Sequence, residues 1–264
     1  MALYTKVKGD VNYTVVGTPT INNSVVSGFS TSNYLQLNQA FNPTNNKWEM
    51  KIKIKTGNSF PAVNTGTYFF RSAISAPSSE GRYGIIMSVR GTQHFRFSVS
   101  VDGSSFIAIP DGTYTVLANT DYWLKFGWTG TEYYLDYSTD NITFTRDITY
   151  VESNGVYNGL TITQFGIYSY NNAYQDPFNG SIDLNETYIK IGDTVWFGTT
   201  FSKVKVNTGL TKYTVVGSPT ISNGIASDFS TSNYLTIPAP NLSSVDNWEF
   251  VVRAKITSLT NTYQ

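Results

Sequence analysis

One segment of this chain occurs twice, and that repeat limits what the chain can fold into. Residues 13–37 read YTVVGTPTINNSVVSGFSTSNYLQL and residues 213–237 read YTVVGSPTISNGIASDFSTSNYLTI. Seventeen of these 25 positions are identical, at a constant offset of 200. The match continues to Trp48-Glu49 and Trp248-Glu249, and the apolar alternation Met50, Ile52, Ile54 recurs as Phe250, Val252, Ala254. Solenoid repeats have periods of roughly 20–50 residues, so an offset of 200 implies tandem copies of a whole domain. The expected organisation is an N-terminal strand or anchor segment at 1–12, a complete domain at 13–197, a linker at 198–212 and the opening part of a second copy at 213–264. That fragment would leave unpaired strand edges by itself, so the chain is expected to continue past Gln264.

The rest of the composition narrows the class. Aromatic residues make up 15% and charged residues only 14%. Such a mixture of aromatic, β-branched and turn-forming residues favours strands joined by tight turns. Eighteen basic residues balance eighteen acidic ones. A neutral chain lacks the basic footprint of a nucleic-acid binder, and no apolar run is long enough for a transmembrane helix. Neither nucleic acid nor membrane is therefore an expected partner. The chain has no cysteine, which excludes disulfides, thiolate chemistry and cysteine zinc sites. Residues 1–6 lack the apolar core of a signal peptide. Together these suit folding in a reducing cytoplasm, including that of a protein later released in a virion.

Period-two alternation runs through the chain and helical periodicity does not. Strands are expected at 13–16, 34–37, 48–55, 67–72, 83–89, 94–101, 122–128, 132–137, 148–151, 164–168 and 180–191. Turn residues separate them at Thr129-Gly130, Asp140-Asn141, Asp102-Gly103 and Asp111-Gly112. Strands at 122–128 and 132–137 read as a hairpin, with Tyr122, Leu124, Phe126 and Trp128 facing the core. Many strands at this spacing indicate a β-sandwich or jelly roll.

The segment Phe178-Asn179-Gly180-Ser181-Ile182-Asp183-Leu184-Asn185-Glu186-Thr187-Tyr188-Ile189-Lys190-Ile191, ending at Val195-Trp196, resembles the closing strands of concanavalin A-like (laminin G-like) jelly-roll domains. Asn33-Tyr34-Leu35 with Trp48-Glu49 resembles their opening strands. Trp123–Trp128 leading to Tyr137-Ser138-Thr139-Asp140 resembles the central hairpin. The resemblance spans 10–197 and again 210–264, and is similar to versions in phage tail-fibre, head-fibre and other virion proteins, crAss-like phages among them. It implies an all-β concanavalin A-like jelly-roll sandwich in tandem copies, the second incomplete. It also implies a virion structural or fibre protein, made in the host cytoplasm. Its partners would be other virion proteins and copies of itself, a trimer by analogy, with a host-surface glycan as ligand. The alternative is a bacterial surface adhesin or carbohydrate-binding module, extracellular or at the cell surface; a glycoside hydrolase ranks below both.

Candidate chemistry is sparse. Glucanase relatives carry carboxylates at alternate positions of one strand, which aims them into the cleft. Here Glu49 is followed by Lys51 and Lys53, and Asp183 and Glu186 lie three apart, which in a regular strand sends them to opposite faces. No catalytic residue is therefore expected, and the chain is read as no enzyme. The single histidine, His94, cannot build a multi-histidine metal site and is read as an ordinary strand histidine. No cofactor or metal is expected. The resemblance admits calcium at the sandwich rim, and Asp136, Asp140 and Asp147 come nearest to a cluster, but turn chemistry accounts for them. The expected ligand loop is Tyr168–Asp176, whose Tyr170, Asn171, Asn172, Tyr174 and Asp176 offer rings and polar groups suited to a sugar; the competing reading packs these tyrosines onto the sandwich. Arg82 and Tyr83, from the loop 75–83, complete the candidate set.

Overall fold

The computed structural model describes residues 3–63, 65–75, 83–170, 173–204, 214–222, 225–227, 229–232 and 234–236. In chain order its strands are β1 (Leu3–Lys8), β2 (Tyr13–Val16), β3 (Thr20–Asn22), β4 (Val25–Ser27), β5 (Tyr34–Leu37), β6 (Trp48–Thr56), β7 (Gly66–Ala73), β8 (Gly84–Arg90), β9 (Phe95–Val99), β10 (Asp121–Trp128), β11 (Glu132–Ser138), β12 (Thr145–Val151), β13 (Ile162–Phe165), β14 (Tyr168–Tyr170), β15 (Ala173–Gln175), β16 (Gly180–Ile191), β17 (Thr194–Val204), β18 (Thr214–Val216), β19 (Thr220–Ser222), β20 (Ile225–Ser227) and β21 (Tyr234–Thr236). Two compact units contain them, Lys8–Thr200 in one and Met1–Val7 with Phe201–Gln264 in the other.

The unit Lys8–Thr200 is a two-sheet antiparallel sandwich. The larger sheet runs β17-β16-β6-β10-β11-β12, with β4 also on β16 and β3 on β4; the six-stranded sheet runs β2-β5-β13-β7-β8-β9. Alternation drives the assembly. Along β6, Trp48, Met50, Ile52 and Ile54 are buried while Glu49, Lys51 and Lys53 between them are partly exposed. Along β10, Tyr122, Leu124, Phe126 and Trp128 are buried as the sequence predicts. From the other sheet, Phe70, Met87, Phe95, Phe97 and Phe165 meet them in one core. Phe126 packs edge-on against Trp48 and Phe97, with centroids 6.1 and 5.6 Å apart, the geometry that ring quadrupoles prefer.

Turn chemistry fixes the connections. The β10–β11 turn closes with Thr129 N donating to Glu132 O at 3.0 Å. Asp140 Oδ1 accepts from the backbone N–H groups of Ile142 and Thr143, both at 2.8 Å, and from Ser138 Oγ. Those bonds hold its carboxyl below the usual range.

Three expectations are corrected. The strand expected over 164–168 is broken at Gly166, whose φ is +82°, so the chain leaves β13 and re-forms as the separate hairpin β14–β15. The linker expected from 198 begins later, because β17 continues to Val204; residues 205–212 lie outside the described ones. Asp183 and Glu186 share a face, since Lys53 Nζ reaches both, at 3.2 and 3.4 Å. The register of β16 on β6 shifts between Asp183 and Tyr188, and an extra residue in a strand changes which face the following side chains take.

In the other unit the described strands of the repeated segment pair as their counterparts in 13–37 do. Val215 opposes Leu235 as Val15 opposes Leu35. Ile221 opposes Ala226 as Ile21 opposes Val26. Gly217 and Gly17 both hold positive φ, 75° and 70°. Residues 237–264, the repeated Trp248-Glu249 among them, lie outside the described residues.

Candidate functional site

The outer face of the six-stranded sheet should read as ordinary solvated surface, yet it is built from buried polar side chains. Its middle row runs Gln36 on β5, Gln164 on β13 and Arg71 on β7. A second row runs Tyr68 on β7, Ser88 on β8 and Arg96 on β9. The register shift between Tyr68 and Phe70 makes both rows available on one face. It lets Phe69 and Phe70 both enter the core and leaves Tyr68 and Arg71 outside. Arg71, Ser88 and Gln164 have no exposed surface.

The β14–β15 hairpin lies on this face and accounts for the burial. Tyr168 stacks on Tyr68, centroids 4.2 Å apart and planes 13° apart. Arg71 donates through Nη1 to Ser169 Oγ and through Nη2 to Ser75 O at 3.0 Å. Tyr174 lies against the Tyr34 ring at 5.0 Å and accepts from Gln164 Nε2 at 3.1 Å. Burial, with the Tyr174 hydroxyl beside it, pushes the Tyr34 phenol up to about 12. Burial lowers the Arg71 guanidinium to about 10, so it remains a cation at neutral pH.

Of the predicted site residues, Tyr174 is thus half-buried on the sheet. Asp176 follows it with φ of 50° and accepts from Tyr68 N through its backbone oxygen at 3.3 Å; burial raises its carboxyl pKa. Tyr83 sits apart from this pair in its described ring contact, which is with Phe106 at 5.0 Å. Tyr170 contributes backbone to β14. Asn171, Asn172 and Arg82 lie outside the described residues.

The residues that sequence reasoning missed are Tyr68, Arg71, Ser88, Arg90, Arg96 and Gln164. Arg90 and Arg96 share one carboxylate, each Nε lying 3.8 Å from an Asp111 oxygen, and Arg96 Nε donates to Ser98 Oγ at 3.0 Å. Eight buried side-chain polar atoms among the described residues have no hydrogen-bond partner, and four are here: Arg71 Nε, Ser88 Oγ, Arg90 Nε and Gln164 Oε1. Each such atom costs about 1–3 kcal/mol relative to a satisfied one, a cost this face carries in atoms shut off from solvent, while the side chains of Arg90 and Arg96 stay partly exposed.

The acidic residues elsewhere are committed to structure. Glu49, on the outer face of the larger sheet, accepts from Tyr188 OH at 2.7 Å and Tyr134 OH at 3.0 Å. Glu186 accepts from Trp123 Nε1 at 2.6 Å, Asn141 Nδ2 at 3.1 Å and Lys53 Nζ. Asp136 pairs with Arg146, and Asp147 Oδ1 accepts from the backbone of Thr113 and Tyr114. Among the described residues no group of three or more His, Cys, Asp or Glu side chains could hold a metal ion. His94 Nδ1 lies 3.0 Å from Tyr114 O.

Comparison with protein-family models finds no match, and comparison with curated proteins finds none. Several solved structures are similar. Domain 4 of AbnA, an extracellular arabinanase from Geobacillus stearothermophilus in complex with arabinotriose, matches at 14% identity and TM-score 0.46, over 70% of this chain and 84% of that one. The exoplasmic/lumenal domain of VIP36, bound to Ca2+ and Man3GlcNAc, matches at 11% and 0.44, over 75% and 96%. The enzymatically active domain of bacteriophage CBA120 tailspike protein 2 matches at 15% and 0.44, over 71% of this chain and 29% of that one.

Proposed function

We propose that the unit Lys8–Thr200 is a non-catalytic, glycan-recognising jelly-roll module of a repeated fibre protein in a virion. The observation that carries the recognition role is the outer face of the six-stranded sheet. The partly exposed Arg90 and Arg96 stand there beside the stacked Tyr68 and Tyr168 rings, and a polyhydroxylated ligand offers complementary groups and an apolar ring face to both. The repeat at offset 200, with its identical strand pairing, supports the fibre. Carboxylates held by tyrosine, tryptophan and lysine donors support the non-catalytic part, because a general acid must be free to exchange its proton with the substrate.

A glycan array probed with the intact chain tests the reading. At least one glycan should be retained by the chain and lost when Arg90→Ala and Arg96→Ala are combined, with no new reducing ends released. Retention unaffected by the double variant, or hydrolysis of the retained glycan, would sink it. For the fibre, antibody against this chain should label purified particles, and labelling confined to cell surfaces would favour the adhesin.

A further inference from the structure

The outer face of the larger sheet places two lysines directly against each other, with no ion pair to either among the described residues. Lys51 on β6 is the direct cross-strand partner of Lys125 on β10. Like charges directly opposed across strands destabilise a sheet. Glu186 and Glu49 favour the Lys51 charge from a distance, but the hydrogen bonds of the nearby carboxylates go to other partners. Glu49, two residues before Lys51 on the same face, is held by Tyr134 and Tyr188. The first reaches it across Gly127, which stands between them in register and has no side chain to block the way. Glu186 is held by Trp123, Asn141 and Lys53. Asp136, opposite Lys125 on β11, is taken by Arg146.

Among the described residues no ion pair or hydrogen bond reaches either ammonium. Lys125 lies over the Phe144 ring, 3.8 Å from its centroid. Lys51 is half-buried, and its ammonium is lowered from the ordinary lysine range by that burial first; Glu186 and Glu49 oppose the shift, and Lys125 and Lys53 add to it. Trp123, half-exposed, is the neighbour of Lys53 in the next row, and Tyr188 is opposite Lys51 on β16. Two cations without an ion pair are therefore bordered by the Trp123 ring, which Lys53 Nζ overlies at 5.0 Å, and the Tyr188 ring, which Lys190 Nζ overlies at 5.1 Å.

We propose that Lys51 and Lys125 form a binding site for the anionic group, carboxylate or sulfate, of an acidic saccharide whose ring packs against Trp123 or Tyr188. One anion between them would convert a repulsive pair into two charge-assisted hydrogen bonds, while the rings cover an apolar sugar face. This site is on the opposite sheet from the arginine–tyrosine face and does not depend on it.

Calorimetric titration of the intact chain tests it, using an oligogalacturonide, its fully methyl-esterified form and a sulfated neutral oligosaccharide at low ionic strength. An acid form should bind at least about tenfold more tightly than the ester, and Lys51→Gln or Lys125→Gln should each weaken it about tenfold, the worth of one charge-assisted hydrogen bond. Lysine-dependent binding of either acid form supports the site, and the tighter one identifies the anion. Thermal melts of each variant keep the test sound: a variant that is still folded at the titration temperature loses binding through the site and not through unfolding. Equal binding of acid and ester, no binding of either acid form, or acid binding unchanged in Lys51→Gln/Lys125→Gln overturns the site. Acid binding lost in Arg90→Ala/Arg96→Ala but kept in the lysine variants overturns it as well, and leaves the glycan-binding reading intact.

Discussion

Replacing Gly166 by alanine should destabilise the sandwich through two separable effects. At φ of +82° an added Cβ would lie 2.1 Å from Cδ1 and 2.4 Å from Cε1 of Phe29. Holding an L-residue in the left-handed region costs about 1–2 kcal/mol. The collision must be relieved by moving a ring that is 8% exposed and that packs on Phe178, itself packed on Phe69. Overpacking of that kind costs about 1–3 kcal/mol. The backbone offers little escape, because Gly166 donates to Phe69 O at 3.1 Å and accepts from Phe178 N at 3.0 Å. The sum is about 2–5 kcal/mol, a large part of the ~5–15 kcal/mol that holds a typical domain folded. It corresponds to a fall in Tm of roughly 4–20 °C. Urea titration followed by tryptophan fluorescence measures it. A double-mutant cycle separates the parts: in a Phe29→Ala background the ring is gone, and Gly166→Ala should cost only the backbone part, about 1–2 kcal/mol. A cost below about 0.5 kcal/mol in the wild type, or an equal cost in both backgrounds, would refute the reasoning.

Tyr134→Phe and Tyr188→Phe should each cost about 1–3 kcal/mol, the worth of a hydrogen bond to a charged acceptor. Their effects should couple through Glu49 in a double-mutant cycle by chemical denaturation. Asp102 and Asp140 are held below the usual carboxyl range, foremost by backbone N–H donors. A depressed folded pKa gives stability that is complete above the unfolded value of ~3.9 and is lost as pH falls below it. Thermal melts of Asp102→Asn/Asp140→Asn should therefore fall below the wild type at neutral pH and converge on it under acid conditions. Tyr34 is held protonated to about 12, so its raised pKa gives stability that is complete below the unfolded value of ~10 and lost as pH rises through that interval. Tyr174→Phe should lower the Tyr34 pKa in an ultraviolet phenolate titration while burial keeps it above the free-tyrosine value.

Much of the sandwich was legible because burial on one side of a strand writes itself as alternation. Strands at 13–16, 34–37 and 180–191 have the predicted ends, and the β10–β11 hairpin buries the predicted face. What escaped reading lies where alternation is interrupted. Phe69-Phe70 put two rings in the core in succession, and only a bulge reconciles that with a strand. A second bulge in β16 reversed the relation of Asp183 to Glu186. The hairpin over 168–175 was visible as a tyrosine- and asparagine-rich stretch, but its partners were not. Arg71, Ser88 and Gln164 lie in three different strands, and nothing within any one of them encodes the cross-strand register that makes them neighbours. Their polar types at alternate positions of buried strands, as in Gly84–Arg90 and Phe95–Val99, were the available signal.

The repeat treats the residues of the larger sheet's outer face differently from one another, and that difference separates scaffold from site. In the amino-acid sequence, the repeated segment keeps Glu49 as Glu249, Lys55 as Lys255 and the cation at 53 as Arg253, while Val251 stands at the position of Lys51. The retained acid is one that, in the first copy, two tyrosine hydroxyls hold, and the retained cation is one that binds Asp183 and Glu186. Both have partners and stabilise the sheet they stand on. Lys51 has no ion pair and stands directly opposite Lys125, so stability alone gives it less support than Glu49 or Lys53 receives. Its presence in the first copy calls for a return outside folding. An anion bound between Lys51 and Lys125 supplies one.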